Sequence, residues 1–308
     1  MDKEETPPRV SALIVSCNCA QSLRRCLAAL ERSRERETIE VIVIDNGSRD
    51  ESPTLDTEFP NTTFLRLPRN FGLAKALNIA MRSAHAEYLL LLAPEVEVQP
   101  ETIPGLAACL DARADAVAVS PLLVAPDGSP VSVLQPLLSE AAVTRLAWGG
   151  EPAGTLPIEP AADSVAVPFP DFRAILLRKF FIRGLNYFDE RYGHHWLDAE
   201  LAAQIHRAAK QALVLPGIRA TCRPQEMSFA LSTSARAALA ADRALGAATY
   251  AGKHFGAVAG IRTRLAIVAG SFARALGAAL RVRNAGFEFG RFSGIVSGQK
   301  IDGSQSAL

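Results

Sequence analysis

Long uninterrupted apolar runs are missing from this chain of 308 residues. None reaches the ~18 residues that a helix needs to cross a bilayer, and the longest candidate near the C-terminus, Leu265 to Phe272, is too short. The opening MDKEETPPR is acidic and proline-containing, with no apolar signal segment behind it. The expectation is a cytoplasmic protein, with peripheral contact at the inner face of the membrane left open. Cysteine is sparse as well: five residues, at 17, 19, 26, 109 and 222. Such an odd, scattered set excludes a disulfide framework. Cys17-Asn18-Cys19 is too tight for a zinc knuckle, and no second pair answers it. Net charge is nearly absent, at +1, so the total charge implies no nucleic-acid partner. There is no G-x-G-x-x-G after the first apolar run, which ends Ser16-Cys17-Asn18-Cys19, and this excludes the common dinucleotide fingerprint. No internal repeat is present.

What remains is a well-apolar globular chain, 49% hydrophobic against 21% charged, which separates it from disordered sequences. Apolar β-branched runs at 10–18, 39–50 (ending in an Asp-Asn-Gly-Ser turn), 62–68, 87–93 and 116–123 read as buried strands, with shorter strand-like runs at 172–178 and 212–216. Between them, Leu23, Cys26, Leu27 and Leu30 fall at helical spacing, as do Leu73, Ala76, Leu77 and Ala80, and residues 103–112 form a further helical stretch. Leu201, Ile205 and Ala208 set another stripe, and from about residue 235 the chain is Ala-, Arg- and Leu-rich helix. Residues 125–165 look like a long irregular connection. Strands alternating with helices imply right-handed crossovers and a mostly parallel sheet covered on both faces. In such sheets ligands lie beyond the carboxyl ends of the strands. The polar residues there are Ser16 to Asn18, Asp45 to Asp50, and Ala93 to Glu97.

Each polar motif has two readings by itself. Asp45-Asn46-Gly47-Ser48 can offer a carboxylate to a base or ribose, or can simply be a turn that needs Asn and Gly for its geometry. Arg69-Asn70-Phe71-Gly72, followed by a helix through Lys75, suits a phosphate-bearing ligand or an ordinary helix start. Asp189-Glu190 and then Asp198 and Glu200 precede a helix, where a carboxylate can act as a general base or merely suit the helix dipole. His194-His195 beside Trp196 invites a metal reading, but adjacent loop histidines point different ways, which favours surface or packing roles.

Together these pieces become specific. VSALIVSCNCAQSLRRCLAAL, IEVIVIDNGSRDES, RNFGLAKALNIAMRSAHAEYLLLLAPEVEV and FDERYGHHWLDAEL stand in register over roughly residues 8–225. The set resembles the family 2 glycosyltransferases of GT-A fold, most of all their bacterial rhamnosyltransferase-like members. The resemblance implies an α/β GT-A domain over residues 8–230, a sheet sandwiched by helices, followed by a basic helical extension over 231–308. It implies transfer of a sugar from a UDP- or dTDP-linked donor to a cell-envelope glycan or lipid-linked acceptor, with inversion. Ser16 and Asn18 would line the nucleotide pocket, Asp45 would contact the base, and Asn70, Gly72 and Lys75 would face the ribose and diphosphate. A divalent ion, Mg²⁺ or Mn²⁺, would bridge the diphosphate to Glu95, and Asp198 would deprotonate the acceptor hydroxyl.

The match has departures. Where relatives show Asn-Pro-Asp, this chain reads Ala93-Pro94-Glu95, and Leu197-Asp198 replaces Glu-Asp. Arg173-Ala174 stands at a usual Gly-Ala, and Arg219 to Arg223 contains no His where one often helps bind the metal. Glu95 keeps a hard oxygen, the ligand type Mg²⁺ takes, so Glu95 is the expected ligand, with Glu97 solvated and a basic residue such as Arg173 or Arg223 offsetting diphosphate charge. A degenerate, non-catalytic binding protein is the alternative. Residues 230–300 carry ten Lys and Arg against only Asp242 and Glu288, which suits either anionic lipid or plain solvated helices.

Overall fold

The computed structural model describes residues 7–132, 136–147, 162–223, 232–281 and 285–298. Nine strands build one sheet: β1 (Val10–Ser16), β2 (Ile39–Asp45), β3 (Thr63–Arg66), β4 (Tyr88–Leu92), β5 (Val96–Val98), β6 (Ala116–Val124), β7 (Val165–Val167), β8 (Ala174–Arg178) and β9 (Gln211–Cys222). The helices are α1 (Ala20–Glu31), α2 (Leu73–Ser83), α3 (Thr102–Ala112), α4 (Glu140–Ala147), α5 (Lys179–Gly184) and α6 (Leu197–Arg207). Three more follow: α7 (Thr233–His254), α8 (Ala257–Arg281) and α9 (Ala285–Ser297).

The strand order is β3-β2-β1-β4-β8-β6-β9-β5, with β7 also on β9. Strands β3, β2, β1 and β4 are parallel neighbours, and β6 and β9 run the same way. Strands β8, β5 and β7 run against them. The sheet is therefore mostly parallel, as expected, with β8 reversed in its middle.

The run of four leucines in β4 is continuous because both its sides are covered. Leu89 and Leu91 enter one core with α2 and α6, while Leu90 and Leu92 enter the other with α1 and α3. A strand buried on both faces cannot alternate polar residues, which is the general signature of a covered parallel sheet. The register sets Ser16 at the end of β1 opposite Asp45 at the end of β2. The strands' polar ends are thus aligned at one edge.

The expected strands and helices are present, and the structure adds pieces that the pattern did not show. Helix α4 lies inside the stretch read as an irregular connection; residues 133–135 and 148–161 of that stretch fall outside the described residues. The short strands β5 and β7 were too brief to carry a periodic signal. The segment expected as an extension is helical, and its first helix is part of the main core. Ala241, Ala244, Ala247 and Tyr250 of α7 share one buried cluster with Leu77 and Trp196. Small side chains allow this close packing, and the Cβ of an alanine at Gly246 would lie 2.4 Å from the Trp196 ring.

One expectation is corrected. The sequence offered no apolar run long enough for a span, yet the Ala257–Leu280 part of α8 is 24 residues long with a hydropathy of 1.2 in its most apolar window. Among the described residues it alone meets the length and composition of a membrane span. Alanines and glycines between the larger apolar residues keep the average high without forming a visible run.

Candidate active site

Two loops at the carboxyl edge, after β2 and after β3, are stitched together by neutral side chains. The Asp45 carboxylate is buried and accepts from the Ser48 N–H at 3.1 Å, closing the turn after β2. Asn46, fully buried, donates to Asn70 Oδ1 at 3.0 Å and accepts from the Phe71 N–H at 2.9 Å. Asn70 Oδ1 also accepts from the Gly72 N–H at 2.8 Å. Gly47 has a φ of +80°, and a Cβ there would sit 2.6 Å from the Arg69 carbonyl carbon. Only glycine fits both the left-handed backbone and that approach.

The loop after β1 joins them. Asn18, with a φ of 51°, donates from its N–H to Ser48 Oγ at 3.0 Å and accepts from the Arg49 N–H at 2.7 Å. Asp50 accepts from the Ala20 N–H at 2.9 Å and from the Ser52 N–H at 3.0 Å, so it caps the start of α1. Burial opposes ionisation of Asp50, but these hydrogen bonds outweigh it and hold its carboxyl below the usual range. The buried Ser16 hydroxyl lies 3.2 Å from the Cys19 sulfur. The structure therefore brings Ser16, Asn18, Asp45, Asn70 and Gly72 into one corner. Lys75 is exposed on the first turn of α2, its ammonium 4.6 Å from the Phe71 ring centre, with Arg69 at 4.9 Å.

Along the edge from this corner lies a charged group. Glu95, between β4 and β5, is part-buried, and burial pushes its carboxyl above the usual value against the pull of nearby Arg173. The Arg173 guanidinium donates to both oxygens of Asp171, to the Val131 carbonyl at 3.0 Å and to the Cys222 sulfur at 3.4 Å. Glu97 departs from the expectation of a solvated carboxylate. It accepts from Arg223 Nε at 2.8 Å and pairs with Arg25 Nε at 3.5 Å, because β5 pairs with the end of β9 and faces the two arginines.

Asp198 sits in the first turn of α6. Burial raises its carboxyl, which also feels His195 as an attraction and Asp171 as a repulsion. A carboxylate poised upward is better matched to taking a proton near neutral pH than one at its ordinary value. The loop before Asp198 is fixed from far along the chain. Asp242 on α7 accepts from the His194 and His195 N–H groups at 3.0 and 3.3 Å and lies 3.0 Å from His195 Nδ1. Trp196, at a φ of 77°, donates from its indole to the Arg243 carbonyl at 2.7 Å. A Cβ on Gly193 would meet Asp242 Oδ1 at 2.0 Å, and the Gly193 carbonyl accepts from the Ala74 N–H at 3.3 Å. The start of α2, the loop before Asp198 and α7 thereby form one stack. The histidine pair has the packing role expected of it.

Asn46, Asp171, Gly193 and Asp242 are the residues that motif reading missed. Asn46 stood inside a quoted motif and gave no sign that its side chain reaches the next loop. Asp242 had one signal, being one of only two acidic residues in a strongly basic region.

Residues 11–141 match glycosyl transferase family 2. The N-acetylglucosaminyl-diphospho-decaprenol L-rhamnosyltransferase of Mycobacterium tuberculosis is 27% identical over 215 residues, covering 63% of this chain and 69% of that protein. Over this stretch the chain is similar to family 2 glycosyltransferases. The succinoglycan biosynthesis protein ExoO of Rhizobium meliloti is 28% identical over 142 residues, 45% of this chain and 39% of ExoO. A solved structure of S. aureus TarS, residues 1–349, has a TM-score of 0.53 at 14% identity and covers 94% of this chain and 92% of its own. A structure of GalNAc-T7 with UDP, GalNAc and Mn²⁺ reaches a TM-score of 0.57 at 17% identity. The match covers 71% of this chain and 44% of that one. These likenesses show the GT-A fold.

The donor set sets the terms for a divalent ion. Among the described residues, no group of three or more His, Cys, Asp and Glu is placed to hold a metal. The part-buried Glu95 carboxylate is one hard oxygen donor whose charge burial disfavours, and a cation beside it relieves that cost. This fits an ion such as Mg²⁺, which keeps waters and takes its other oxygens from a diphosphate. It does not fit an ion caged by protein alone.

Proposed function

We propose that this enzyme moves a sugar from a UDP- or dTDP-linked donor to a cell-envelope glycan or lipid-linked acceptor, with inversion at the anomeric carbon. The observation that carries the reading is Asp198, a carboxyl held up by burial at the head of α6 on the same edge as Glu95 and Arg173. The acceptor class follows the decaprenol-linked substrate named for the Mycobacterium tuberculosis relative.

Asp45 and the backbone of the Ser16–Asn18 loop would frame the base, while the amide-rich start of α2 at Gly72 would face phosphate. Lys75 would reach the diphosphate by leaving the face of Phe71. Asp198 takes the proton from the acceptor hydroxyl as that oxygen attacks the anomeric carbon. The bond from that carbon to the diphosphate oxygen breaks on the opposite side, and the nucleoside diphosphate leaves. Glu95 would hold Mg²⁺ or Mn²⁺, which when bound supplies Lewis-acid stabilisation to the leaving group. Arg173 adds fixed positive charge beside Glu95. No observation favours a non-catalytic binding protein over this reading.

The test is nucleoside diphosphate release from a panel of UDP- and dTDP-sugars with Mn²⁺, for the wild type and Asp198→Asn. Turnover that persists undiminished in the variant removes Asp198 from the chemistry. Donor binding that ignores both base and metal removes the donor assignment.

A further inference from the structure

Nine of the ten large apolar side chains exposed among the described residues lie between Phe255 and Val296; Phe180 is the exception. They are ordered. On α8, Val258, Ile261, Leu265, Phe272, Leu276 and Leu280 are 52–79% exposed and recur at three- and four-residue steps along one face. The opposite face, Ala259, Thr263, Ile267, Ser271 and Ala275, is buried at four-residue steps. The stripe continues onto α9, where the Phe292 ring lies 5.7 Å from that of Phe272, and Phe289 and Val296 are exposed beside it. A contiguous apolar surface of this extent on a monomer marks an interaction face.

We propose that the α8–α9 face seats the enzyme on an anionic lipid bilayer, with α8 lying in the plane of the interface. Charge decides the occupant. Helices α7 to α9 contain eight Lys and Arg against Asp242 and Glu288, and α8 has no acidic residue; Lys253 pairs with Asp189 and Glu200, Arg262 pairs with Glu140, and Arg291 is buried. Asp242 is turned inward to the His194–His195 loop, and Glu288 pairs with Arg274. Arg264 is exposed near the stripe. Two copies paired through this face would set arginine against arginine, whereas anionic headgroups would meet the same charges favourably.

The placement in the plane follows from the packing. Helix α8 is long enough to span, but Arg262, Arg264 and Arg274 would then lie within hydrocarbon, where charged side chains are costly. Its buried face is already committed to the protein: a Cβ on Gly260 would meet the backbone of Gly252 on α7 at 2.7 Å. One face on protein and one apolar face with flanking arginines is the geometry of an interfacial helix. Because α7 also holds the loop of Asp198, the bilayer contact would set the height of the active site above the lipid.

The proposal is read by vesicle flotation of the full chain, without donor or acceptor, so it stands or falls apart from the transferase reading. Vesicles of phosphatidylcholine are compared with vesicles in which about 30% is phosphatidylglycerol. The wild type should float with the anionic vesicles, weaken as salt rises, and largely stay behind with phosphatidylcholine alone. Leu265→Glu with Leu276→Glu should reduce partition about tenfold or more. Both positions are exposed, and circular dichroism checks that the helices persist. Arg264→Glu alters charge alone and should reduce partition several-fold, which keeps the test valid should the double variant misfold. Equal binding to both vesicle types overturns the proposal, as does wild-type-like flotation of folded variants. So does a dimer, detected by light scattering, that the same substitutions dissolve while no vesicle binds. Protein that stays in the membrane through carbonate extraction overturns the in-plane placement.

Discussion

The loops within residues 16–72 and the loop at 193–198 are held in different ways. The corner within residues 16–72 is closed by amide and backbone links, Asn18 to Ser48 and Arg49 and Asn46 to Asn70 and Phe71, together with the Asp45 and Asp50 carboxylates of its own loops. The loop at 193–198 is held from α7, some 45 residues downstream, by the Asp242 carboxylate and by the Trp196 indole on the Arg243 carbonyl. The Asn46–Asn70 link carries no titrating group. Charged stitching ties the base to a helix that, in the proposal above, also rests beneath the lipid-facing surface. One side is tied within its own loops, and the other is a part whose position depends on the rest of the molecule.

The largest effect should fall on the base side. Asp198→Asn is expected to cut turnover by about 10³-fold, within the range for loss of a general base, while UDP or dTDP affinity measured by calorimetry stays unchanged. In the wild type, the raised carboxyl predicts that turnover declines as pH falls through a value above the usual aspartate one. A loss of nucleotide affinity in the variant would merge the two sides and undo the comparison. Next in size is Gly47→Ala on the other side. An alanine there meets the Arg69 backbone at 2.6 Å with φ at +80°, both of which resist a side chain. A cost of about 2–4 kcal/mol in urea unfolding is expected, together with weakened nucleotide binding.

How much of this was legible depended on distance along the chain. The buried leucines of β4 and the Asp45-to-Gly72 corner were readable because strands and turns declare themselves within a few residues. The identity of Asn46 as the clamp was not, since an Asn-Gly turn looks the same whether its amide points to solvent or to Asn70. The link from Asp242 to His194 and His195 spans about 50 residues, and nothing in an Ala-rich helical pattern states which residue its single aspartate faces. Composition changes near residue 230, while the buried cluster runs on into α7. Glu97 was misjudged for the same reason: its partners Arg25 and Arg223 come from two distant elements.

A double-mutant cycle sharpens the contrast at smaller scale. Gly193→Ala drives a Cβ into Asp242 Oδ1 and should cost about 1–3 kcal/mol. Asp242→Ala should cost about 1–3 kcal/mol by leaving the His194 and His195 N–H groups unpaired. The double variant removes the clash, so its cost should fall below the sum by about 1 kcal/mol or more. Simple additivity in thermal unfolding would mean that the two residues do not meet as the structure places them.

The smallest effect tests whether charge, rather than shape, holds α7 to the base helix. Glu200 of α6 is buried and accepts from Tyr192 Oη at 3.0 Å and Gln204 Nε2 at 2.7 Å. His254 Nε2 and Lys253 Nζ of α7 lie 2.7 and 2.8 Å from its oxygens. Burial alone would raise its carboxyl, but the hydrogen bonds from His254, Lys253 and Gln204 outweigh that and bring it down from 4.5 to about 2. A depressed folded-state value stabilises the protein above the unfolded value and loses that contribution as pH falls through the folded one. The stabilisation should therefore be complete above pH 4.5 and fade toward about pH 2. Glu200→Gln should lower Tm at neutral pH by an amount corresponding to roughly 1–2 kcal/mol, and the difference from wild type should shrink across that acid window. The Asn46–Asn70 stitching carries no such titration, so Asn46→Ala should keep a Tm deficit that does not vary with pH. A deficit that narrows equally in both variants would mean that the acid response belongs to the whole fold and not to the charged seam.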